Sequence, residues 1–240
     1  QMCIRDRVSG GLHGVGVSCV NALSEWLNVE IHRDGSTHTM SFGRGAPTTE
    51  LTKTGDTDKH GTTVVFMPDD QIFDTLEFSY EILSNRMREL AFLMGKAGVT
   101  LTLSEETTER TESFHYPNGL VDFVDFINET KEPVHPEVIS LEAEGADADG
   151  NPVLVELAFQ YNGGYREDIY TFVNNINTAE GGTHLSGFRS GLTRVLNNYA
   201  KKGGLLKPNE TAPSGEDFRE GLAVVLSVKL QDPQFESQTK

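Results

Sequence analysis

Apolar residues in the first half of the chain recur at helical spacing in two places. Behind the glycine-rich stretch 10–16, Val17, Val20, Leu23 and Leu27 lie three or four residues apart, which predicts a helix over 17–27. Small residues inside this stripe favour close packing of one helix face. A second stripe predicts an amphipathic helix of about four turns, with apolar members Tyr80, Leu83, Met87, Leu90 and Met94.

Between these two helices the pattern changes to strict alternation, which is typical of half-buried strands. The runs 29–31 and 40–42 alternate in this way, and Gly35-Ser36 between them predicts a hairpin turn. Residues 62–67 are β-branched and apolar, so they predict a buried strand. The first half therefore combines helices with a sheet.

The second half repeats this mixture after a predicted turn at 117–119. We place a domain boundary at that turn and expect an α+β fold in two domains, 8–118 and 119–240, each with helices on one side of a sheet. Further elements predicted by spacing are strands near 99–103 and 114–116, a helix at 121–127, strands at 138–144, 153–161 and 169–176, a helix at 184–201 and a strand at 221–230.

The composition is acidic, with 36 Asp and Glu against 20 Lys and Arg, and a net charge of -16. A free-standing nucleic-acid binder is excluded, because phosphate contacts need clustered bases. One segment, 181–209, has no acid and five bases. With no signal peptide and no run of the ~20 apolar residues that span a bilayer, we expect a cytoplasmic protein with no membrane contact.

The glycine-rich stretch 10–16 is the strongest candidate for chemistry. It leads directly into a predicted helix, and glycines before a helix N-terminus let an anion approach free backbone N–H groups. A Walker loop is excluded because no Gly-Lys-Ser/Thr tripeptide occurs, and the glycine order is not that of a dinucleotide fingerprint. A tightly packing turn remains the alternative to phosphate binding at this point.

Other candidate sites are weaker. No nucleophile partner for His13 can be identified by spacing, and the histidines form no HxxxH or HxH pair, so no metal site is predicted. Asp147 and Asp149 before Gly150 resemble a fragment of a calcium loop, but the ligand pattern fails after Gly150.

The glycine loop also carries a resemblance. The ordered motifs are similar to those of the ATPase unit of type IIA DNA topoisomerases, the family that includes the B subunits of DNA gyrase and topoisomerase IV. This unit is part of the GHKL superfamily. Of the matching motifs, the lid motif is the one that also occurs across that wider superfamily. The matching segments are 8–18 with 20–24 (ATP lid), 59–64 (second nucleotide strand), 181–189 (transducer helix), 216–222 (last transducer strand) and 233–240 (loop that returns to ATP).

The resemblance implies a partial GHKL-type α/β sandwich, followed by a smaller α/β transducer domain whose βαβ crossover is left-handed. It implies ATP with Mg²⁺ as cofactors, and Thr62 in the hydrogen-bond network around adenine. Gln238 and Lys240 would be the catalytic residues at the γ-phosphate, where positive charge stabilises phosphoryl transfer. The residues lining the triphosphate would be Gly11, Leu12, His13, Gly14, Val15 and Gly16.

The sequence departs from the family pattern before the lid. The glutamate general base, the asparagine that holds magnesium and the Asp-x-Gly-x-Gly motif have no counterpart among the 240 residues. We therefore expect an N-terminally truncated fragment that is inactive by itself. A catalytically incomplete binding module and another GHKL ATPase remain the alternatives, and gyrase is not distinguished from topoisomerase IV.

The resemblance also implies partners. The B subunit would dimerise on ATP binding and form a heterotetramer with the topoisomerase A subunit, coupling ATP hydrolysis to supercoiling or decatenation. The acid-free segment would face the transported DNA through Arg189 and Arg194, by contacts that are weak and salt-sensitive on so acidic a chain. A solvated helix face is the alternative for these two residues.

Overall fold

A computed structural model describes residues 15–206 and 210–235. The described residues form two compact units, 15–79 and 80–235. The sequence predicts a domain boundary at 118–119. The compact units instead divide between residues 79 and 80, which groups residues 80–118 with the second half. The domain boundary stays a prediction.

The first unit is an antiparallel sheet preceded by one short helix. The sheet order is β3-β2-β1-β5, and β4 also pairs with β2. The elements are α1 (Val15–Ala22), β1 (Ser24–Arg33), β2 (Ser36–Gly43), β3 (Ala46–Pro47), β4 (Thr52–Asp56) and β5 (Gly61–Pro68).

The β1–β2 hairpin is confirmed, but its turn lies one residue earlier than the predicted Gly35-Ser36. Arg33 pairs with Ser36, so the loop consists of Asp34 and Gly35 alone. Both have positive φ, 51° and 75°, as a two-residue hairpin loop of this hand requires. A glycine in the second position adopts this conformation without strain.

The first predicted helix is too long. Helix α1 ends at Ala22, and Leu27 lies on β1 with 1% of its surface exposed. From Leu27 onward the apolar residues also alternate, with Val29 and Ile31 following at every second position. Strand β1 pairs with β2 on one side and β5 on the other, and those hydrogen bonds stabilise the strand over a continued helix.

Strand β5 confirms the predicted strand at 62–67 but not its burial. In the described part of the chain, β5 has one neighbour in the sheet, β1. Residues 61–67 are all exposed, and Val65 keeps 49% of its surface accessible. A continuous apolar run predicts a strand covered on both faces, and the described residues leave this one open.

The second unit is a five-stranded sheet with the order β11-β10-β12-β9-β8 and a separate β6–β7 hairpin. Its elements confirm the helices and most strands predicted from spacing, but the strand expected at 114–116 lies earlier, at 110–114. They are α2 (Tyr80–Leu93), β6 (Leu101–Glu105), β7 (Arg110–Phe114), α3 (Leu120–Asn128), β8 (Ile139–Ala146), β9 (Pro152–Tyr161), β10 (Asp168–Val173), β11 (Ile176–Asn177), α4 (Thr183–Lys202) and β12 (Leu222–Lys229), with short 3₁₀ turns at Gly95–Ala97 and Asp217–Arg219.

Helices α2 and α3 cover one face of this sheet. The aromatic rings of Phe92 and Phe123 stack with centroids 4.6 Å apart, and Phe172 of β10 lies 6.1 Å from Phe123. Ala158 and Val225 complete the buried cluster beneath them. Burial of these large side chains is the main stabilising contribution of the unit.

Helix α4 connects β10 to β12, and these two strands pair in parallel, so the predicted βαβ crossover is present. The predicted strand 169–176 is wrong in one respect, because it is two strands. Asn174 and Asn175 have φ of 50° and 65° and turn the chain between β10 and β11. Asparagine tolerates this left-handed conformation better than most residues, so a tight turn forms without glycine.

Candidate functional site

The glycine loop meets the described structure at its end. Val15 and Gly16 open α1 and are exposed, whereas Gly11, Leu12, His13 and Gly14 lie outside the described residues. A Cβ built on Gly16 has no atom within 4 Å, so space is open around the helix start. The first turn of α1 has no acidic residue that would repel an anion.

The far end of α1 is fixed to the sheet. The Ser24 hydroxyl donates to the Val20 carbonyl at 2.5 Å, and the Asn21 amide donates to the Gly45 carbonyl at 3.4 Å. With this end held, the position of the helix N-terminus relative to the sheet is determined. Such fixed backbone donors are what a phosphate site needs.

An ion pair beside this anchor was missed by the sequence reasoning. Arg44 Nε donates to Asp69 Oδ2 at 2.6 Å, and the Arg44 hydrogen bond holds the pKa of the buried Asp69 carboxyl below its ordinary value. The two residues are 25 positions apart, so no local pattern could have revealed the pair. It ties the turn after β2 to the end of β5.

Thr62 lies near the start of β5, paired with Ile31 of β1, and is exposed. It belongs to the same compact unit as the start of α1. The structure thus places Thr62, Val15 and Gly16 on one folded unit, with the threonine on a rigid strand and the other two at a helix start.

Arg189 and Arg194 lie on α4 in the other unit and have different surroundings. Arg189 donates from Nε and a terminal nitrogen to the two Glu167 oxygens at 3.2 and 3.1 Å. Arg219 Nε approaches the same carboxylate to 2.9 Å. Arg194 is exposed and has no carboxylate partner in the part of the chain that the structure describes. Of the two arginines, Arg194 is therefore the one whose charge is open to an external anion.

The start of α4 is tied to β10 by a chain of hydroxyl and imidazole groups. His184 Nε2 lies 2.9 Å from the Thr178 hydroxyl, which is 2.8 Å from the Thr171 hydroxyl. Burial lowers the pKa of His184, so the neutral ring is the stable form here. These hydrogen bonds hold α4 in register with the sheet.

A groove of about 920 Å³ runs along the sheet face beneath α4. Its walls are mostly apolar, and the start of α4 and the segment after β12 close its ends. The lining residues are Val153, Val155, Leu157, Val173, Thr178, Glu180, Gly181, Gly182, Thr183, His184, Phe188, Leu226, Val228, Leu230, Asp232, Pro233, Gln234 and Phe235.

Gln238 and Lys240 lie outside the described residues, but the segment that leads to them is described as far as Phe235. Phe235 packs against the cluster of Val173, Leu226 and Val228. The segment is therefore attached to the five-stranded sheet at Phe235, five residues before Lys240 in the sequence.

Two cofactors are expected, ATP and Mg²⁺, and the described residues fit only the first. The open, glycine-flanked start of α1 suits a phosphate group. Among residues 15–206 and 210–235, no group of three or more His, Cys, Asp or Glu side chains could hold a metal ion.

Comparison with known proteins decides the family. The model of the family described as DNA gyrase B matches residues 119–240. The chain belongs to the DNA gyrase B family. The predicted α+β fold class and the resemblance to the family that includes the gyrase B subunits are confirmed.

Relatives in this family extend the similarity over nearly the whole chain. It is 49% identical to the DNA gyrase B subunit of Myxococcus xanthus over 98% of this chain and 28% of that protein. It is 52% identical to the gyrase B subunit of Clostridium acetobutylicum over 98% of this chain and 36% of that protein. The chain therefore spans about a third of the length of these gyrase B relatives.

Solved structures of the family agree. The 43K ATPase domain of Thermus thermophilus gyrase B, in complex with an aminocoumarin, superposes with a TM-score of 0.79 and 39% identity over 93% of this chain and 60% of that one. The topoisomerase IV ATP-binding domain of Francisella tularensis, in complex with a small-molecule inhibitor, gives 0.74 and 28% over 97% and 62%.

Within the described residues, no helix is both long enough and apolar enough to cross a membrane.

Proposed function

We propose that this chain is the ATP-binding and transducer part of the B subunit of a type II DNA topoisomerase, in which ATP binding and hydrolysis drive DNA strand passage. The observation that carries the proposal is the extent of the similarity. About half of all residues are identical to gyrase B over 98% of the chain, so both compact units belong to one gyrase B segment.

The proposed nucleotide site uses residues from both ends of the chain. The backbone of the lid donates to the triphosphate, Thr62 takes part in the adenine network, and Gln238 and Lys240 approach the γ-phosphate. A lysine there neutralises charge that builds up on the transferred phosphoryl group. The lid residues are Gly11, Leu12, His13, Gly14, Val15 and Gly16.

The proposed partners follow from the same membership. The protein would act in the cytoplasm, dimerise on ATP binding and assemble with the topoisomerase A subunit, and Mg²⁺ would accompany the bound ATP. Transported DNA would pass along α4, where Arg194 is open to contact with phosphate while Arg189 is engaged by Glu167. Few such contacts would give weak, salt-sensitive attraction.

The test is Lys240→Ala in the complete B subunit, assembled with its A subunit. Removing one preorganised charge from a transition state costs about 3–4 kcal/mol, so the ATP hydrolysis rate should fall by roughly 10²–10³-fold. ADP affinity should change much less, because ADP lacks the phosphate that Lys240 would contact. Lys202→Ala, at the exposed end of α4, is the matched control and should leave both values unchanged.

Three results would count against the proposal. Hydrolysis within about threefold of the parent would remove Lys240 from the site. An equal loss of ADP and ATP affinity would indicate a folding defect or a general binding role. Absence of ATP-dependent change in DNA topology with the parent complex would favour a binding module or another GHKL ATPase.

A further inference from the structure

The turn before α3 contains an asparagine followed by a glycine, Asn118-Gly119. This dipeptide is prone to spontaneous deamidation, because glycine carries no side chain that would hinder attack by its own backbone nitrogen. The Gly119 nitrogen bonds to the side-chain carbonyl carbon of Asn118, and the amide group leaves as ammonia with the proton of that nitrogen. Water then opens the cyclic imide at either of its C–N bonds and leaves aspartate or isoaspartate.

Asp122, in the first turn of α3, holds Asn118 by two hydrogen bonds. One carboxylate oxygen accepts from Asn118 Nδ2 at 2.9 Å, and the other accepts from the Asn118 backbone N–H at 2.9 Å. Hydrogen bonds to a charged acceptor are stronger than those between neutral groups. The nitrogen that must leave as ammonia is therefore held on the carboxylate.

The attacking nitrogen is also engaged. The Gly119 N–H donates to the Tyr116 carbonyl at 3.0 Å, and Gly119 is buried although Asn118 is exposed. The turn lies against Gly95, where an added Cβ would overlap the Tyr116 carbonyl oxygen and lie 3.0 Å from the Gly119 Cα. Isoaspartate lengthens the main chain by a methylene group, so it fits this turn only if the turn moves away from Gly95.

We propose that Asn118 is a site of spontaneous deamidation and that Asp122 sets its rate. In the folded chain, the carboxylate keeps the side-chain amide away from the Gly119 nitrogen. When the first turn of α3 opens, these bonds are lost and the reaction runs as in the unfolded chain. The product places a second carboxylate against Asp122, and because like charges repel, the modified turn stays open. This modification does not depend on the proposed function.

The test incubates the complete B subunit and its Asp122→Ala variant under native conditions, and measures aspartate and isoaspartate at position 118 by peptide mapping with mass spectrometry. Trypsin releases this position in peptide 111–131, which follows Arg110 and ends in Lys131. We expect the variant to deamidate at least about tenfold faster, the factor that corresponds to the loss of one charge-assisted hydrogen bond. Asp122→Asn keeps an oxygen acceptor without the charge and should react at an intermediate rate.

The matched control is Asp125→Ala, which removes the same charge from the same helix. Asp125 lies further along α3 and is exposed. This variant should react within about twofold of the parent. If Asp125→Ala accelerates the reaction as much as Asp122→Ala does, the effect comes from the charge of the helix, and the role of Asp122 is overturned. Equal native rates in Asp122→Ala and the parent would overturn it as well.

The other Asn-Gly pair of the sequence, Asn162-Gly163, separates local opening from general unfolding. Asn162 is buried, its Nδ2 donates to Asn128, and its Oδ1 accepts from the Gly164 N–H. It should stay unmodified under native conditions in every variant, and deamidation of both pairs in Asp122→Ala would indicate general unfolding and overturn the proposal. In denaturant, Asp122→Ala and the parent should react equally fast at position 118. A difference that persists there would overturn control by the folded contact, and no reaction in the denatured parent would overturn the site itself.

Asn118→Asp imitates the product of the reaction. The Val121 N–H donates to the Asn118 carbonyl at 3.3 Å, and the Phe123 N–H donates to the Gly119 carbonyl at 3.2 Å. Hydrogen exchange of these two amides, which reports on the start of α3, should accelerate about tenfold in Asn118→Asp. The increase should be less than about twofold when Asp122→Ala is already present. Unchanged exchange in Asn118→Asp, or an equal increase in the two backgrounds, would overturn the repulsion between the two carboxylates.

Discussion

Asn128→Ala should destabilise the second unit by removing the centre of a buried amide network. Asn128 ends α3 and is 4% exposed. Its Nδ2 donates to Gln160 Oε1 at 2.8 Å, and its Oδ1 accepts from Asn162 Nδ2 at 3.0 Å. Gln160 and Asn162 have their other amide groups paired with backbone, so the substitution leaves one buried atom of each without a partner.

The magnitude follows from these two atoms. Leaving a buried donor or acceptor unsatisfied costs about 1–3 kcal/mol, so two give about 2–6 kcal/mol. Alanine recovers up to about 0.7 kcal/mol through its higher helix propensity. The expected net loss is about 1.3–5.3 kcal/mol, which is a substantial fraction of the stability of an ordinary domain.

Native-state hydrogen exchange measures this loss in the second unit separately from the first. Protected amides of α3 and β9 should exchange at least about eightfold faster in Asn128→Ala, since about 1.4 kcal/mol corresponds to each factor of ten. The control is Asn198→Ala on the exposed face of α4, which should stay within about 0.5 kcal/mol of the parent. If Asn128→Ala also stays within that limit, the buried network does not stabilise the fold as argued.

Two other changes test neighbouring parts of the same unit. Gly221→Ala should destabilise the start of β12 by more than about 2 kcal/mol, because φ is 70° and the new Cβ would lie 2.4 Å from the Asn162 carbonyl oxygen; a denaturation midpoint equal to that of the parent would contradict this. For His184, burial lowers the pKa below its ordinary 6.5, so its stabilising contribution is complete above pH 6.5 and is lost as the pH falls toward the lower folded pKa. As the pH is lowered below 6.5, hydrogen-exchange protection factors at the start of α4 should decrease in the parent and stay constant in His184→Gln.

The sequence predicted elements well where local chemistry decides them. Gly35 marked the β1–β2 hairpin, although the turn is Asp34-Gly35 and not the predicted Gly35-Ser36. The alternation in β9 specified a strand. Both depend on neighbouring residues. Leu27 fits both a helical stripe and an alternating run, and only the partner strands β2 and β5 resolve the choice. The Asn174-Asn175 turn escaped prediction because neither glycine nor proline marks it.

The candidate site was likewise predictable only where its residues are adjacent in sequence. The lid was found from its glycines, which are adjacent in sequence. The Arg189–Glu167 pair spans 22 residues and joins a helix to the loop before β10, so spacing gave no signal for it.

The proposed binding of ATP phosphates by the glycine loop before α1 can be tested by equilibrium binding of a non-hydrolysable ATP analogue to Gly14→Val in the complete B subunit. A Cβ at this position would block the approach of phosphate to the backbone. We expect normal binding by the parent and no measurable binding by Gly14→Val, with hydrogen exchange of the five-stranded sheet of the second unit unchanged between the two. Unaltered analogue affinity in Gly14→Val would contradict it.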